Sequence, residues 1–237
     1  VKFAYLSGDF ANPTGETVSR EARERVLDLA EALDIPVIED AAYQSLRYEG
    51  EEIPPILALD IARHGGIENT RTLYCGSFSK TLAPGLRVGW VCGATPVISK
   101  LVLTKQAADL HSSTLNQMAI HKVAVADFAG QVGRIKAAYQ SRRDAMLKAL
   151  DTEMPAGVSW THPDGGMFVW ITLPETFDGA ELLAECLKRE KVAFVPGKAF
   201  FADGSGGNTI RLSFSRMAEP EIAEGIARLG RVLRAAA

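Results

Sequence analysis

Cysteine is scarce in this sequence, and its three copies, Cys75, Cys92 and Cys186, are odd in number and far apart. A disulfide framework and a cysteine metal site are both excluded, and the three read as small core residues of a reducing compartment. Histidine is equally thin, with four scattered residues (His64, His111, His121, His162) that offer no zinc spacing. No apolar run approaches the ~20 residues needed to span a bilayer. Charge of one sign is also lacking: the net charge is −3, and no Lys/Arg block stands out to favour a nucleic acid or membrane partner. An initiator methionine is missing too. Val1 opens what reads as a strand, with no signal or transit peptide before it, so the chain is expected to be part of something longer. What remains is a composition with 47% hydrophobic and 23% charged residues, ordinary for a globular protein placed in the cytoplasm, and 237 residues suffice for a large core.

Short apolar runs alternate with helical periodicity, which predicts an α/β fold with a mostly parallel sheet flanked by helices. Strands are expected at 3–7, 35–40, 72–75 and 88–92, the last two buried. Ser19 is a plausible N-cap, with Val26, Leu27, Ala30 and Leu33 marking one face of the helix that follows. Helices are expected over 97–107, 116–128 and 132–150, the last long enough to link two domains. Beyond Pro155 the elements shorten: strands at 158–161 and 167–173 around a Pro163-Asp164-Gly165-Gly166 turn, a helix at 180–190, strands at 192–195 and 209–214, and a closing helix at 219–233. This predicts a large domain over residues 1–150 and a smaller α+β domain over 151–237.

Four clusters carry chemistry. Tyr74-Cys75-Gly76-Ser77-Phe78-Ser79-Lys80-Thr81, with Arg87 seven residues beyond Lys80, gathers an amine, hydroxyls and a guanidinium at a strand end. That set suits a lysine bonding the carbon of a phosphorylated aldehyde, and it also suits a polar loop with a solvated lysine. Asp40 ends a strand, and Tyr43 follows at one turn. In open parallel sheets ligands bind at carboxyl ends of strands, where a carboxylate can hold a proton on a pyridine nitrogen; an N-capping Asp with a half-buried Tyr is the plainer alternative. Asn12-Pro13-Thr14-Gly15 is by default a turn. Arg211, between Ile210 and Leu212, is either a solvent-facing strand residue or a fork for a substrate carboxylate. Gly165-Gly166-Met167-Phe168-Val169-Trp170 reads as a hairpin and its strand, whose glycines would let the backbone approach a substrate.

Taken in order, Asn-Pro-Thr-Gly, Asp-x-x-Tyr, Ser-Phe-Ser-Lys with a downstream Arg, and a C-terminal strand Arg closely resemble the fold-type I pyridoxal-phosphate aminotransferases of class I/II. Asp40–Tyr43 and Ser77–Trp90 look most like the 2-aminoadipate aminotransferase and MocR-type branch. The resemblance covers the whole chain. It implies a pyridoxal 5′-phosphate cofactor bonded to Lys80 as a Schiff base, with Lys80 then shuttling a proton at the substrate Cα. Free lysine, at about 10.4, would need its basicity lowered for this. It implies that Asp40 holds the pyridine nitrogen, Asn12 and Tyr43 the ring oxygen, Ser77, Ser79 and Arg87 the phosphate, and Arg211 the substrate carboxylate, with Asn12 also counted among the substrate-binding residues. The reaction would move an amino group from an amino acid to a 2-oxo acid in a homodimer with a shared site. Family members are considerably longer, and their N-terminal part supplies a phosphate-capping loop, a ring-stacking aromatic and much of the dimer interface. A cofactor held weakly or not at all is therefore expected if no more chain is present. Two other functions stay open: the effector-sensing domain of a MocR-type transcription regulator, whose members often carry tyrosine where Asn12 stands, and a pyridoxal-phosphate β-lyase or decarboxylase.

Overall fold

Residues 1–236 are described by a computed structural model. They form two compact units: residues 1–9 with 17–135, and residues 10–16 with the chain from 136 on.

The first unit is built on a four-stranded sheet. Strands β1 (Ala4–Leu6), β2 (Val37–Asp40) and β3 (Thr72–Ser77) run parallel in that order, and β4 (Gly89–Cys92) closes the edge antiparallel to β3. Helix α1 (Arg20–Ala32) begins as expected at Ser19, whose hydroxyl accepts from the Ala22 amide at 3.2 Å. Leu27 and Ala30 reach the core with Ile35, Val37 and Ile56. Leu33 does not, being 61% exposed, because the helix ends at Ala32 and Leu33 is left as its C-cap.

Helix α2 (Ile56–His64) has no counterpart in the sequence reading. Pro55 at its N-cap offers no side chain to the first amides. Glu39 of β2 supplies it instead, accepting from the Ile56 and Leu57 amides at 2.8 and 3.0 Å. Glu39 is 1% exposed, and burial holds its carboxyl above the usual range even though those two amides favour the charged form. At the other end His64 sits between two carboxylates, Nδ1 at 2.7 Å from Asp60 Oδ1 and Nε2 at 2.9 Å from Glu31 Oε1. Asp60 is fully buried and also accepts from the Arg71 and Thr72 amides and the Thr72 hydroxyl, tying α2 to β3.

A second buried ionic group lies just past the end of β1. Asp9 Oδ1 stands 2.9 Å from both Arg23 and Arg47, and all three are nearly or fully buried. Arg23 also donates to the carbonyls of Val18, Pro54 and Gly8. Every polar edge of that guanidinium is thereby answered, as a buried charge requires.

Strand β4 departs from expectation. All four residues are exposed, Cys92 among them, because β4 is the sheet edge with only β3 beside it. Helix α3 (Thr95–Ala108) likewise has no buried residue in the described chain. The helical stretch α4 (Thr114–Glu153) is broken at Asp127 (φ −162°, ψ 56°), earlier than the gap expected between 128 and 132. The Asp127 carboxylate accepts from the Gly130 amide at 3.0 Å, as an N-cap does, and lies where a Cβ on Gly130 would sit.

The second unit carries an antiparallel sheet in the order β5 (Ser159–Trp160), β6 (Phe168–Thr172), β8 (Thr209–Ser213), β7 (Val195–Pro196). Strand β7 starts three residues later than expected: Lys191 is left-handed (φ 58°) and the Val192 amide still bonds Cys186, so the chain is finishing a helix before it can pair. That helix, α5 (Gly179–Arg189), is capped by Asp178, and the amphipathic α6 (Glu219–Ala236) buries Ile222, Ile226, Leu229 and Leu233. Residues 10–16 belong here because Thr161 Oγ1 donates to the Thr14 carbonyl at 2.9 Å while accepting from the Trp170 amide. Gly15 (φ 74°) presses against the Phe168 carbonyl.

Candidate active site

Six of the eight candidate residues stand in the first unit, at the carboxyl ends of β2 and β3. Adjacent parallel strands end on the same edge, so Asp40 and Cys75 pair in register and the chain beyond each turns out over that edge. Asp40 is half-buried. Its Oδ1 accepts from the Ala42 amide at 3.1 Å, and its Oδ2 accepts from the Tyr5 hydroxyl of β1. The Ala42 contact is a local Asx turn rather than a helix cap, since the 3-10 turn that follows has Tyr43 at its N-cap and no side-chain cap, while the other oxygen is claimed by an aromatic residue of the neighbouring strand. Tyr43 opens a single 3-10 turn over Gln44–Leu46, which the Tyr74 hydroxyl props by donating to Gln44 at 2.7 Å.

Beyond β3 the chain folds tightly. The Ser79 amide donates to the Ser77 hydroxyl at 3.0 Å, and the Leu82 and Ala83 amides both bond the Phe78 carbonyl. The turn lifts Lys80 so that its Nζ lies 5.8 Å from the Tyr43 ring centroid. Among the described residues this amine has no carboxylate partner. Gly76 is required here, since a Cβ would meet the Trp90 ring at 2.2 Å; that ring packs on Phe78 at 4.6 Å and shapes the loop from below. Arg87 is exposed, in left-handed backbone (φ 53°) at the end of a second short turn. Thr81, absent from the sequence candidates, is 4% exposed, and its hydroxyl finds no hydrogen-bond partner among the described residues. An orphaned buried hydroxyl inside a loop of donors is what a site for an oxyanion leaves when the polypeptide alone is considered. A threonine beside a lysine gives no signal of this in sequence.

Asn12 and Arg211 stand together in the second unit. Arg211 lies on β8 opposite Trp170 of β6, and its guanidinium donates to Asn12 Oδ1. Its Cζ is 4.2 Å from the Phe168 ring centroid and 5.2 Å from that of Phe200. These are cation–π distances, and they place the guanidinium against aromatic rings while one of its N–H groups bonds Asn12. The strand arginine is half-buried. Gly166 (φ 76°) reaches close to Phe10, where a Cβ would come within 2.5 Å of the Phe10 Cβ, which holds the 10–16 loop against the β5–β6 turn.

Titration in the first unit is led by Tyr5, whose phenol is pushed up to about 12, first by its hydrogen bond to Asp40 and then by burial. Burial pushes the Cys75 thiol up as well, helped by Asp40, so this cysteine stays neutral and inert.

The family pattern described as aminotransferase class I and II matches residues 9–229. Aromatic-amino-acid aminotransferase 1 of Thermococcus litoralis is 43% identical over 235 residues, 99% of this chain and 54% of the relative. An alpha-aminoadipate aminotransferase of Thermus thermophilus, solved with N-(5′-phosphopyridoxyl)-L-leucine, is similar with a TM-score of 0.92 at 42% identity, covering 98% of this chain and 59% of that one. A kynurenine aminotransferase of Pyrococcus horikoshii is similar at 0.93 and 40%, covering 100% and 57%. The chain spans a little over half the length of these relatives. With the lysine loop, the Asp40 strand end and the stacked arginine in place, this chain belongs to the class I and II aminotransferase family.

Proposed function

We propose that this chain carries the lysine side of a pyridoxal 5′-phosphate-dependent aminotransferase, moving an amino group from an amino acid to a 2-oxo acid. The observation that carries the reading is the placing of Asp40 and Lys80 at and just past the ends of adjacent parallel strands, with the Tyr43 ring 5.8 Å from the amine. The donor set fits the group: an amine for an aldehyde, a carboxylate for a pyridine nitrogen, a phenol for a ring oxygen. Ser77, Ser79 and Arg87, with the orphaned Thr81 hydroxyl in the same loop, suit a phosphate. When bound, the cofactor supplies an electron sink for the Cα–H bond that breaks.

In this reading Lys80 would hold the cofactor through its aldehyde carbon, with loss of water, and once the substrate amine had displaced it the freed amine would hold and return the proton at the substrate Cα. Asp40 keeps a proton on the ring nitrogen, and Tyr43 hydrogen-bonds the ring oxygen. Arg211, lying against the Phe168 and Phe200 rings and bonded to Asn12, holds a substrate carboxylate. The amino acid and 2-oxo acid are the substrates, and a cytoplasmic homodimer is part of the proposal. Borohydride treatment of the full-length protein with pyridoxal phosphate should fix the cofactor on Lys80, and Lys80→Ala should lose the reducible absorbance. Incubation with an amino acid and 2-oxoglutarate should yield glutamate, which a β-lyase or a regulator would not make. A normal reducible band in Lys80→Ala overturns the assignment.

A further inference from the structure

We infer that Tyr5 is a positioning residue for the proposed reaction, acting through Asp40. Tyr5 pairs in register with Ile38 on the parallel neighbour β2, and Asp40 is two residues beyond Ile38. Side chains alternate along a strand, so Tyr5, Ile38 and Asp40 share one face of the sheet, and two residues of strand cover about 6.6 Å. A phenol can span that gap, and its hydroxyl donates to Asp40 Oδ2. No shorter hydroxyl-bearing side chain at position 5 would reach. Burial does not account for the aromatic ring there, since Tyr5 is 61% exposed at the edge strand; the partner of its hydroxyl does.

The consequence lies in what is left of the carboxylate. With the Ala42 amide on Oδ1 and the Tyr5 hydroxyl on Oδ2, both oxygens are anchored and the carboxyl plane is fixed. Each oxygen keeps a second lone pair, so the group can still accept from a ring N–H. Proton holding by Asp40 is therefore prepared in advance by a neighbour that never touches the ring, as preorganised electrostatic stabilisation requires. The phenol stays protonated throughout the neutral range, so its O–H remains available to donate to the carboxylate.

This inference rests on the cofactor assignment above, and its test separates the two. Tyr5→Phe keeps the ring and removes the donor. In the protein loaded with pyridoxal phosphate, kcat should fall about tenfold while KM for the amino donor changes less than about twofold. The dissociation constant of the apoprotein for pyridoxal phosphate, read by fluorescence quenching, should rise about fivefold, the scale of one charge-assisted hydrogen bond lost at one remove. Because Tyr5 acts through Asp40, the Tyr5→Phe/Asp40→Asn double variant should be no worse than Asp40→Asn alone in either measurement. Additive losses, or a Tyr5→Phe protein with unchanged affinity and kcat, overturn the proposal for Tyr5 and leave the cofactor assignment standing. A full-length wild-type protein that binds no pyridoxal phosphate overturns both.

Discussion

Replacing Asp9 by Asn isolates the charge at the centre of the buried Asp9–Arg23–Arg47 group. Asparagine keeps an oxygen in the place of Oδ1, so the 2.9 Å contacts to both guanidinium groups can persist, and only the negative charge is lost. Breaking a buried ion pair from one side costs about 3–5 kcal/mol, because the surviving charge is left uncompensated in a poorly solvated place. Two observations favour the lower end. Arg23 keeps carbonyl acceptors at Val18, Pro54 and Gly8, within 3.0 Å, and the buried Glu39 carboxylate lies close enough to feel it. We expect a loss of about 3 kcal/mol, and with roughly 2–4 °C per kcal/mol for a chain this size, a fall in Tm of about 10 °C. Urea denaturation gives the free energy, and hydrogen exchange should lose protection in β1–β3 but not in β6 and β8. Adding Arg47→Met to Asp9→Asn removes one stranded guanidinium and should recover at least about 1 kcal/mol. A cost below about 1 kcal/mol for the single variant, or a double variant no more stable than it, would refute the charge-balance argument.

His64 is held above its usual range first by its hydrogen bond to Asp60, with burial opposing. A raised folded pKa means that its contribution is complete below about pH 6.5 and is lost as pH rises through the folded value; His64→Gln should flatten that part of the stability–pH curve, and an unchanged slope would remove His64 as the cause. Gly15→Ala should destabilise the second unit by about 2 kcal/mol or more, from left-handed backbone and a Cβ placed 2.8 Å from the Phe168 carbonyl. Gly15→Asn should do no better in thermal unfolding, since tolerance of left-handed backbone does not move that carbonyl; a clear rescue by Asn would leave backbone strain as the whole effect.

The local chemistry of this protein was legible from its sequence. Ser19 caps α1 through a bond spanning three residues, Leu27 and Ala30 face the core by helical period, and the turn at Pro163–Gly166 joins two antiparallel strands. The strand-end positions of Asp40 and Lys80 follow from the same short-range patterns, as does the alternation that makes the first sheet parallel over β1–β3. What tertiary structure alone decided are the interactions whose partners lie far apart in the chain. Helix α2 has no cap of its own and is started by Glu39, seventeen residues before Ile56. Arg23 looked like one more charged helix residue, and it is fully buried because Asp9, Gly8, Val18 and Pro54 meet around it. Strand β4 carries Trp90, Val91 and Cys92 and reads as core, yet it lies exposed at a sheet edge. Arg211 could face solvent by alternation, and the structure sets its guanidinium against the Phe168 and Phe200 rings. Tyr5 carries no mark of its partnership with Asp40, because strand register, fixed by the packing of two parallel strands, sets which side chains share a face. Period and capping act over three or four residues and are written in the chain, whereas register, burial and charge compensation depend on which distant segments the core brings together.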